Sequence, residues 1–462
     1  MADETKTLAK YAANLSYDDI PAAIRARAMD LLVDQIGVQL GCSELPWAQQ
    51  VRATYRRPGG IAEATVVRYG DRLPIGAAAF INSVFGHSFE YDDANPLCHG
   101  HLGAELIPPM MAIAERDHIS GRDFLTALVA GYEVRGRIGW AVSPDMIELG
   151  GPQYSTTCGP FGVAVGIGRL LRADADLITN AMGIAGTFSG GLMQYDHGGG
   201  SVKRLFTAVG GSGGIQAFHL AQAGMTGAEE ILEGVHGLLR IYPNEYRPDR
   251  LTVDLGRKWT MDYLLFKPYC CCAVIHPAID ALLHILTDSG LGADDIESIE
   301  VGYPAPSYDH APITSPKDLL GMQFSTSYSL AITALKRRNT PHEYTMETLA
   351  DPHVKAVAAK VRLNLEHGLD KLFETGHMPA RITLRSKKGQ VFEKLVEDAK
   401  GSPASKFTSD DVDAKFNSQA VDALGAEATA RLLRTLRSIE DVSDMAIVPK
   451  MLVAANQAKA NV

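Results

Sequence analysis

Three segments rich in small residues decide the fold of this chain: FGVAVGIGRLLRA at 161–173, ADLITNAMGIAGTFSGGL at 175–192 and SGGIQAFHLAQAGMTG at 212–227. Each segment mixes glycine and alanine with larger apolar residues, and none has the alternation of a strand. Because small side chains allow helices to approach closely, these segments predict neighbouring helices in a buried bundle.

The helical pattern extends through the first 250 residues. Apolar side chains recur at helical spacing over 16–42, and Ser120 is predicted to be the N-cap of the helix FLTALVAGYEV. Strands do not alternate with these helices, which argues against a doubly wound parallel sheet.

The residue pattern changes after about Trp259. IESIEVGY at 296–303 alternates as a strand does, and ARITLRSKKGQVFEKLV at 380–396 predicts a hairpin that turns at Lys388 and Gly389. This part of the chain is therefore predicted to be an α+β domain.

Helical stretches are predicted at 324–335 and 346–359, and the helical pattern returns at 410–416 and 426–436 after the boundary signal Gly401-Ser402-Pro403. We predict a mainly α fold, with a large all-helical domain formed by both ends of the chain and a smaller α+β domain inserted into it. The predicted domain limits are 1–264, 265–400 and 401–462.

Charge and cysteine content exclude several classes of protein. The formal net charge is −10, which argues against nucleic-acid binding because phosphates require a basic face. Six cysteines, three of them adjacent at 270–272, do not resemble a secreted disulfide framework. The N-terminus lacks the apolar core of a signal peptide, and no run of about 18 apolar residues predicts a membrane span, so we expect a cytoplasmic protein.

The densest polar cluster is HSFEYDDANPLCHGHLG at 87–103. It contains Glu90, Asp92 and Asp93 together with His99 and His101. Carboxylates and imidazoles this close shift each other's pKa values, as general acid–base catalysis requires, although the acids could equally cap helices and face solvent. A metal site is a further alternative because His and Asp are metal ligands. His99 and His101 do not have the spacing that is typical of ligands on a helix, so we predict no metal.

Other segments supply cations and hydroxyls. The glycines at 198–200 do not form a phosphate loop, and they are predicted to be a flexible segment that delivers Lys203 to a carboxylate. Lys267 and His276 flank the three cysteines, which lack zinc-binding spacing and are predicted to pack as small apolar residues. Tyr328, in FSTSY, could donate a hydrogen bond to an oxyanion. For each of these residues a solvated or packed structural role is the alternative.

Several motifs match one family in order along nearly the whole chain. They are E-Y-D-D from Glu90, H-x-G-A from His101, S-G-x-x-F-L-x-A-x-x-x-G-Y-E-V from Ser120, T-C-G-P-F-G from Thr157, K-R-L from Lys203, F-K-P-Y…H-P-A-I-D-A from Phe266 and F-S-x-x-Y ending at Tyr328. Taken together they resemble the MmgE/PrpD family, which includes 2-methylcitrate dehydratase, cis-aconitate decarboxylase and iminodisuccinate epimerase.

The resemblance implies a helical domain with a smaller lid domain near 265–400, a homodimer and no cofactor. It also implies site residues at Glu90, His101, Lys203, Lys267 and Tyr328. The chain departs from the family pattern at Glu90, where members have Asp, and at Ala94, where Thr is frequent. Gln153 stands where members often carry a histidine, and either His99 or His101 could be the motif histidine; we favour His101 because of its spacing to Gly103.

The chemistry shared by the family is removal of a proton beside a carboxylate. We predict that His101 is the acid or base, that Glu90 or Asp92 orients it, and that Lys203 and Lys267 bind substrate carboxylates. Tyr328 would donate to an oxyanion or leaving group. The residues predicted to bind substrate besides Lys267 are Asp93, His99, Gln153 and His276.

The predicted function is a cofactor-independent lyase of a small di- or tricarboxylate, with 2-methylcitrate-type dehydration first. The alternatives are cis-aconitate-type decarboxylation, epimerisation of a dicarboxylate such as iminodisuccinate, and a dimer that binds a carboxylate without turning it over. Retention of the cations, the histidine and the tyrosine argues against the last alternative.

Overall fold

A computed structural model describes residues 3–143, 145–148, 152–195, 200–310 and 313–454. The chain divides into two compact units, and both termini belong to the same one. Unit 1 comprises Met1–Ser88, Asp92–Leu265 and Thr408–Val462. Unit 2 comprises Phe89–Tyr91 and Phe266–Phe407. The prediction of a mainly α protein is confirmed.

The N-terminal part of unit 1 is a succession of helices. They are α1 Glu4–Asn14, α2 Ala22–Cys42, α3 Pro46–Arg56, α4 Ile75–Gly86, α5 Leu102–Arg116, α6 Gly121–Ala141, α7 Asp145–Glu148, α8 Tyr154–Leu170, α9 Ala175–Ala185, α10 Phe206–Gln222, α11 Leu238–Ile241 and α12 Asp249–Thr252. Short 3-10 helices lie at Tyr17–Asp19, Gly186–Phe188, Val202–Leu205 and Thr260–Tyr263. A small antiparallel ribbon, β1 Ala64–Thr65 with β2 Arg72–Leu73, is an exception to the predicted all-helical domain.

Small residues bring α6, α8 and α10 together, and α8 and α10 overlap two of the three segments rich in small residues, 161–173 and 212–227. A Cβ atom added at Gly131 of α6 would lie 2.9 Å from the Gly162 carbonyl oxygen of α8. One added at Gly210 of α10 would lie 2.3 Å from the Ser155 carbonyl oxygen. Both distances are too short for a side chain, so glycine is required where these helices cross.

Helix ends follow local sequence signals. The predicted N-cap is confirmed, because the Ser120 hydroxyl accepts a hydrogen bond from the Asp123 N–H at 3.2 Å. The helix predicted over 16–42 begins only at Ala22, since Pro21 sits at its N-cap and Tyr17–Asp19 form a separate 3-10 turn.

Unit 2 contains the helices α13 His276–Ser289, α14 Ala305–His310, α15 Leu319–Gln323, α16 Thr326–Lys336, α17 Met346–Ala350, α18 Pro352–Ala358 and α19 Asp370–Glu374. Its short 3-10 helices are Ala273–Ile275, Ala293–Asp295, Pro341–Glu343 and His367–Leu369. The helix predicted over 346–359 is interrupted at Asp351, whose backbone is not helical because Pro352 follows it.

A four-stranded sheet forms the rest of unit 2. Its strands are β3 Ile296–Tyr303, β4 Val361–Leu365, β5 Ala380–Ser386 and β6 Val391–Val396, in the order β4-β3-β5-β6. β3 pairs parallel with β4 and antiparallel with β5, and β5 pairs antiparallel with β6. The predicted strand at 296–303 and the predicted hairpin are confirmed, and Gly389 turns the hairpin with φ +79°.

The chain then returns to unit 1 through α20 Ser409–Leu424, α21 Ala426–Arg437, the 3-10 helix Ile439–Asp441 and α22 Ile447–Met451. Gly37 of α2 lets α20 approach, because a Cβ at that position would lie 3.1 Å from the Phe416 Cα atom. The units change after Leu265 and Phe407, and Phe89–Tyr91 also belong to unit 2, whereas the predicted limits are 1–264, 265–400 and 401–462. Among the helices that the structure describes, none combines the length and apolar character needed to cross a membrane.

Candidate active site

The ends of two helices bring three titratable side chains of unit 1 together. His87 follows the last residue of α4, and His101 is the N-cap residue of α5. Asp92 lies between them in sequence, and its Oδ2 atom is 2.7 Å from His87 Nδ1 and 3.1 Å from His101 Nδ1. We call His87, Asp92 and His101 the His–Asp–His cluster.

The hydrogen bonds of His101 fix the proton on one ring nitrogen. Its Nδ1 atom is 2.8 Å from the backbone carbonyl oxygen of Asp93 and close to the Asp92 carboxylate. Both partners can only accept, so Nδ1 carries the proton and donates it, which leaves a lone pair on Nε2 of the neutral ring. The side chain is 15% exposed. His101 can therefore exchange a proton through Nε2 while its other nitrogen stays anchored.

His87 is fully buried and contacts the same Asp92 oxygen atom as His101 does. Burial, together with the charges of His101 and Lys203, lowers the pKa of His87 to about 4, although Asp92 opposes this shift. The ring is therefore neutral at neutral pH, and its Nδ1–H donates to Asp92. Its Nε2 atom has no hydrogen-bond partner among the residues that the structure describes.

Asp92 is the charged centre of the cluster. Burial opposes ionisation of this carboxyl, but the interactions with His101 and His87 outweigh burial and hold its pKa well below the usual range. A buried carboxylate of this kind orients an imidazole and stabilises the imidazolium that forms when the ring takes up a proton.

The cluster also has the composition of a metal site. One ligand atom from each of its three residues lies within 4.8 Å of the others. Two imidazoles and a carboxylate are ligands for a divalent transition metal. The spacing of His99 and His101 along the chain does not indicate this group, because the structure places His101 beside His87.

Asp93 and Gln153 hold helix ends. The Asp93 carboxylate accepts the Gly103 N–H at 3.0 and 3.2 Å, and burial, reinforced by Asp92, raises its pKa well above the usual range. Gln153 Oε1 accepts the N–H groups of Ser155 and Thr156 at the start of α8. Their predicted roles in substrate binding stay predictions, and the contacts described here are those of caps.

Lys203 and His99 complete the predicted residues of unit 1. Lys203 lies in the 3-10 helix before α10, is 6% exposed and lowers the pKa of His87, so its charge acts on the His–Asp–His cluster. The His99 ring instead packs near the Tyr154 ring, with centroids 5.2 Å apart. The glycine segment predicted to deliver Lys203 falls largely at 196–199, outside the described residues.

Unit 2 pairs two other predicted residues. Lys267 Nζ lies 2.9 Å from Glu90 Oε2, and both side chains are 2% exposed. Glu90 has a left-handed backbone with φ +52°, which a non-glycine residue seldom adopts outside constrained sites. The preceding Phe89 carbonyl accepts hydrogen bonds from Gln323 at 2.6 Å and from Cys270 at 2.8 Å, which holds this turn in unit 2.

The other predicted residues of unit 2 are also buried. The His276 ring at the start of α13 lies 3.2 Å from the Cys271 carbonyl oxygen through Nε2, and Tyr328 lies in the first turn of α16. Cys270 and Cys271 are buried and Cys272 is partly so, and burial raises the pKa of the Cys271 thiol. These contacts fit the predicted packing role of the cysteines.

His87 is the residue that sequence reasoning did not assign to the site. It stands at the edge of the polar cluster, five residues before Asp92. The available signal was its position directly after an apolar helix, where a side chain at the helix end can turn toward the following loop.

Comparison with known proteins identifies the family. Residues 6–250 match the MmgE/PrpD N-terminal domain, and residues 269–441 match the MmgE/PrpD C-terminal domain. The cis-aconitate decarboxylase-like protein oryM of Aspergillus oryzae is 27% identical over 96% of this chain and 95% of its own length. A cis-aconitate decarboxylase of Aspergillus terreus is 27% identical over 79% of each chain, and that of the mouse is 24% identical over 97% of this chain and 93% of its own. Because the two family domains cover most of the sequence, the chain belongs to the MmgE/PrpD family.

Proposed function

We propose that this protein is a cofactor-independent lyase that decarboxylates a small unsaturated tricarboxylate of the cis-aconitate type. The observation that carries the proposal is the His–Asp–His cluster, in which a carboxylate anchors His101 and leaves its Nε2 atom able to exchange a proton. The family membership and the names of the compared decarboxylases support the reaction class.

Decarboxylation needs a group that delivers a proton to carbon. When the C–C bond to a carboxylate breaks and carbon dioxide leaves, the electron pair forms a new double bond and the displaced pair of the old double bond takes up a proton. The imidazolium of His101, stabilised by Asp92, would supply that proton from Nε2 and recover it from water.

Cations would hold the carboxylates that remain. Lys203 in unit 1 and Lys267 in unit 2 are proposed to bind them as point charges, with Glu90 setting the position of Lys267. Tyr328 is proposed to donate a hydrogen bond to a carboxylate oxygen or leaving group. The residues of unit 2 enter this proposal from the family resemblance and from their contacts within that unit.

The order of the predicted functions changes. The motifs alone favour dehydration of a 2-methylcitrate-type substrate, but the compared relatives are named cis-aconitate decarboxylases or a cis-aconitate decarboxylase-like protein, which places decarboxylation first in our proposal. Both reactions use one group that moves a proton at carbon. Epimerisation needs bases on both faces of the carbon and comes third, and a homodimer in the cytoplasm stays a prediction.

One panel of substrates tests the proposal. The protein is incubated in deuterated water with cis-aconitate, citrate, 2-methylcitrate and iminodisuccinate, and the products are followed by NMR. We expect release of carbon dioxide from cis-aconitate with one deuterium incorporated into the product. An alkene formed from citrate or 2-methylcitrate would move dehydration to first place. Deuterium uptake into iminodisuccinate without other change would favour the epimerase, and no turnover of any compound would contradict an enzyme of this substrate class.

A further inference from the structure

A cavity of about 500 Å³ opens within unit 2. Its polar lining comes from Tyr308, Ser327, Tyr328, Lys355 and Arg362, among others, and all of its lining residues belong to this unit. The volume lies in the range typical of sites for small molecules. Tyr328, which we propose as a hydrogen-bond donor to substrate, lines this cavity.

The charged side chains that the structure describes around the cavity are cations. Lys355 on α18 and Arg362 on β4 line it, and no carboxylate is among the described lining residues. Neither cation forms an ion pair with a side chain that the structure describes. In a protein of net charge −10, two cations without such a partner at one cavity favour an anionic ligand.

The start of α16 adds hydrogen-bond donors to the same cavity. Ser327 and Tyr328 lie in the first turn of this 11-residue helix and are 9% and 8% exposed. The Ser325 hydroxyl caps the Tyr328 N–H at 3.4 Å and lies 3.1 Å from the Ser327 hydroxyl. The partial positive charge of a helix N-terminus favours an anion beside these hydroxyls.

We infer that this cavity is a carboxylate-binding pocket that takes one carboxylate of a small polycarboxylate substrate, with Arg362 and Lys355 as its cations and Tyr328 as its hydroxyl donor. The guanidinium of Arg362 suits bidentate binding of a carboxylate, and Lys355 adds a point charge. The inference rests on the proposed function because that function identifies the ligand as the substrate. It adds Arg362 and Lys355, which lie outside the family motifs.

Binding can be measured apart from turnover with propane-1,2,3-tricarboxylate, which has three carboxylates but no double bond or hydroxyl to react. Isothermal titration at low ionic strength with the full chain should give about a tenfold or larger increase in Kd for Arg362→Gln and for Lys355→Gln. Arg385→Gln and Lys388→Gln are matched controls, because both residues are exposed in the same sheet and hairpin and do not line the cavity. The controls should keep the Kd of the parent protein.

The outcomes separate this inference from the proposed function. If the pocket is correct, Arg362→Gln raises KM for cis-aconitate about as much as it raises Kd, while kcat changes less. Weaker binding in the pocket variants without turnover of any panel substrate would keep the pocket and refute the proposed reaction. Turnover with unchanged Kd and KM in Arg362→Gln and Lys355→Gln would overturn the pocket. Competition by inorganic phosphate as strong as that by the tricarboxylate would overturn its assignment to carboxylates.

Discussion

Glu90 and Asp92 are two residues apart, yet they belong to different units and have opposite surroundings. Asp92 lies in unit 1 and contacts two imidazoles, whereas Glu90 lies in unit 2 against the ammonium of Lys267. The first carboxylate contacts two imidazole rings, and the second contacts an ammonium group. The difference fits the proposed roles, in which His101 moves a proton while Lys203 and Lys267 bind carboxylates.

The two regions also differ in how their side chains are held. In unit 1 the imidazoles sit at the ends of α4 and α5, and each is anchored through Nδ1. Such short, anchored side chains suit proton transfer, which depends on exact geometry. In unit 2 the cations that line the cavity are long exposed side chains of α18 and β4, which suit binding of charge.

The largest expected effect comes from the His–Asp–His cluster, which we propose transfers the proton. His101→Asn keeps a donor for the Asp93 carbonyl but removes the titratable nitrogen, so kcat for cis-aconitate should fall about 100- to 10,000-fold. Steady-state kinetics with cis-aconitate measure the change in kcat, and circular dichroism checks that the variant is folded. His99→Asn is the matched control and should retain most activity. Full activity in His101→Asn with loss in His99→Asn would reverse our choice of motif histidine.

A smaller effect, on stability, is expected from the charged pair of unit 2. Lys267→Met leaves the buried Glu90 carboxylate without the ammonium, which should lower the free energy of unfolding by about 3–5 kcal/mol. Adding Glu90→Gln removes the buried charge, so the double variant should regain much of the loss. Urea unfolding measures each value, with the exposed Lys388→Met as a control that changes stability little. A double variant no more stable than Lys267→Met would show that the pair is not coupled through charge.

Much of the fold could be predicted from the sequence because periodicity is a local signal. The glycine-rich helices, the strand at 296–303 and the hairpin all followed from residue spacing. The ribbon of β1 and β2 has only two residues in each strand, which is too short to produce a pattern. β4 has five residues and begins at Val361, shortly after α18 ends at Ala358. Its short alternating pattern therefore cannot be distinguished from the end of the predicted helix.

The site could be predicted only in part because its geometry depends on contacts between distant residues. Spacing placed Asp92 and His101 in one cluster, but only the packing of α4 against α5 brings His87 to the same carboxylate. In an extended chain, residues two apart point to the same face, which would group Glu90 with Asp92. The left-handed backbone at Glu90 breaks that relation, and residue spacing carries no signal for it.

The smallest expected effect tests whether His87 is neutral in the folded protein. The pKa of His87 is about 4 in the folded protein and near 6.5 when unfolded, so between these values the unfolded chain binds the extra proton. Stability contributed by neutral His87 is therefore present above pH 6.5 and is lost as pH falls toward 4, by at most about 3 kcal/mol. His87→Asn keeps a donor for Asp92 but cannot titrate, so urea unfolding from pH 7 to pH 4 should give a shallower loss of stability than in the parent protein.

His236→Asn is the control, because that exposed side chain changes its environment little on unfolding and its removal should leave the parent slope. Equal slopes in His87→Asn and the parent would mean that His87 takes up its proton at the same pH in the folded and the unfolded chain, and burial would then not hold this ring neutral beside Asp92.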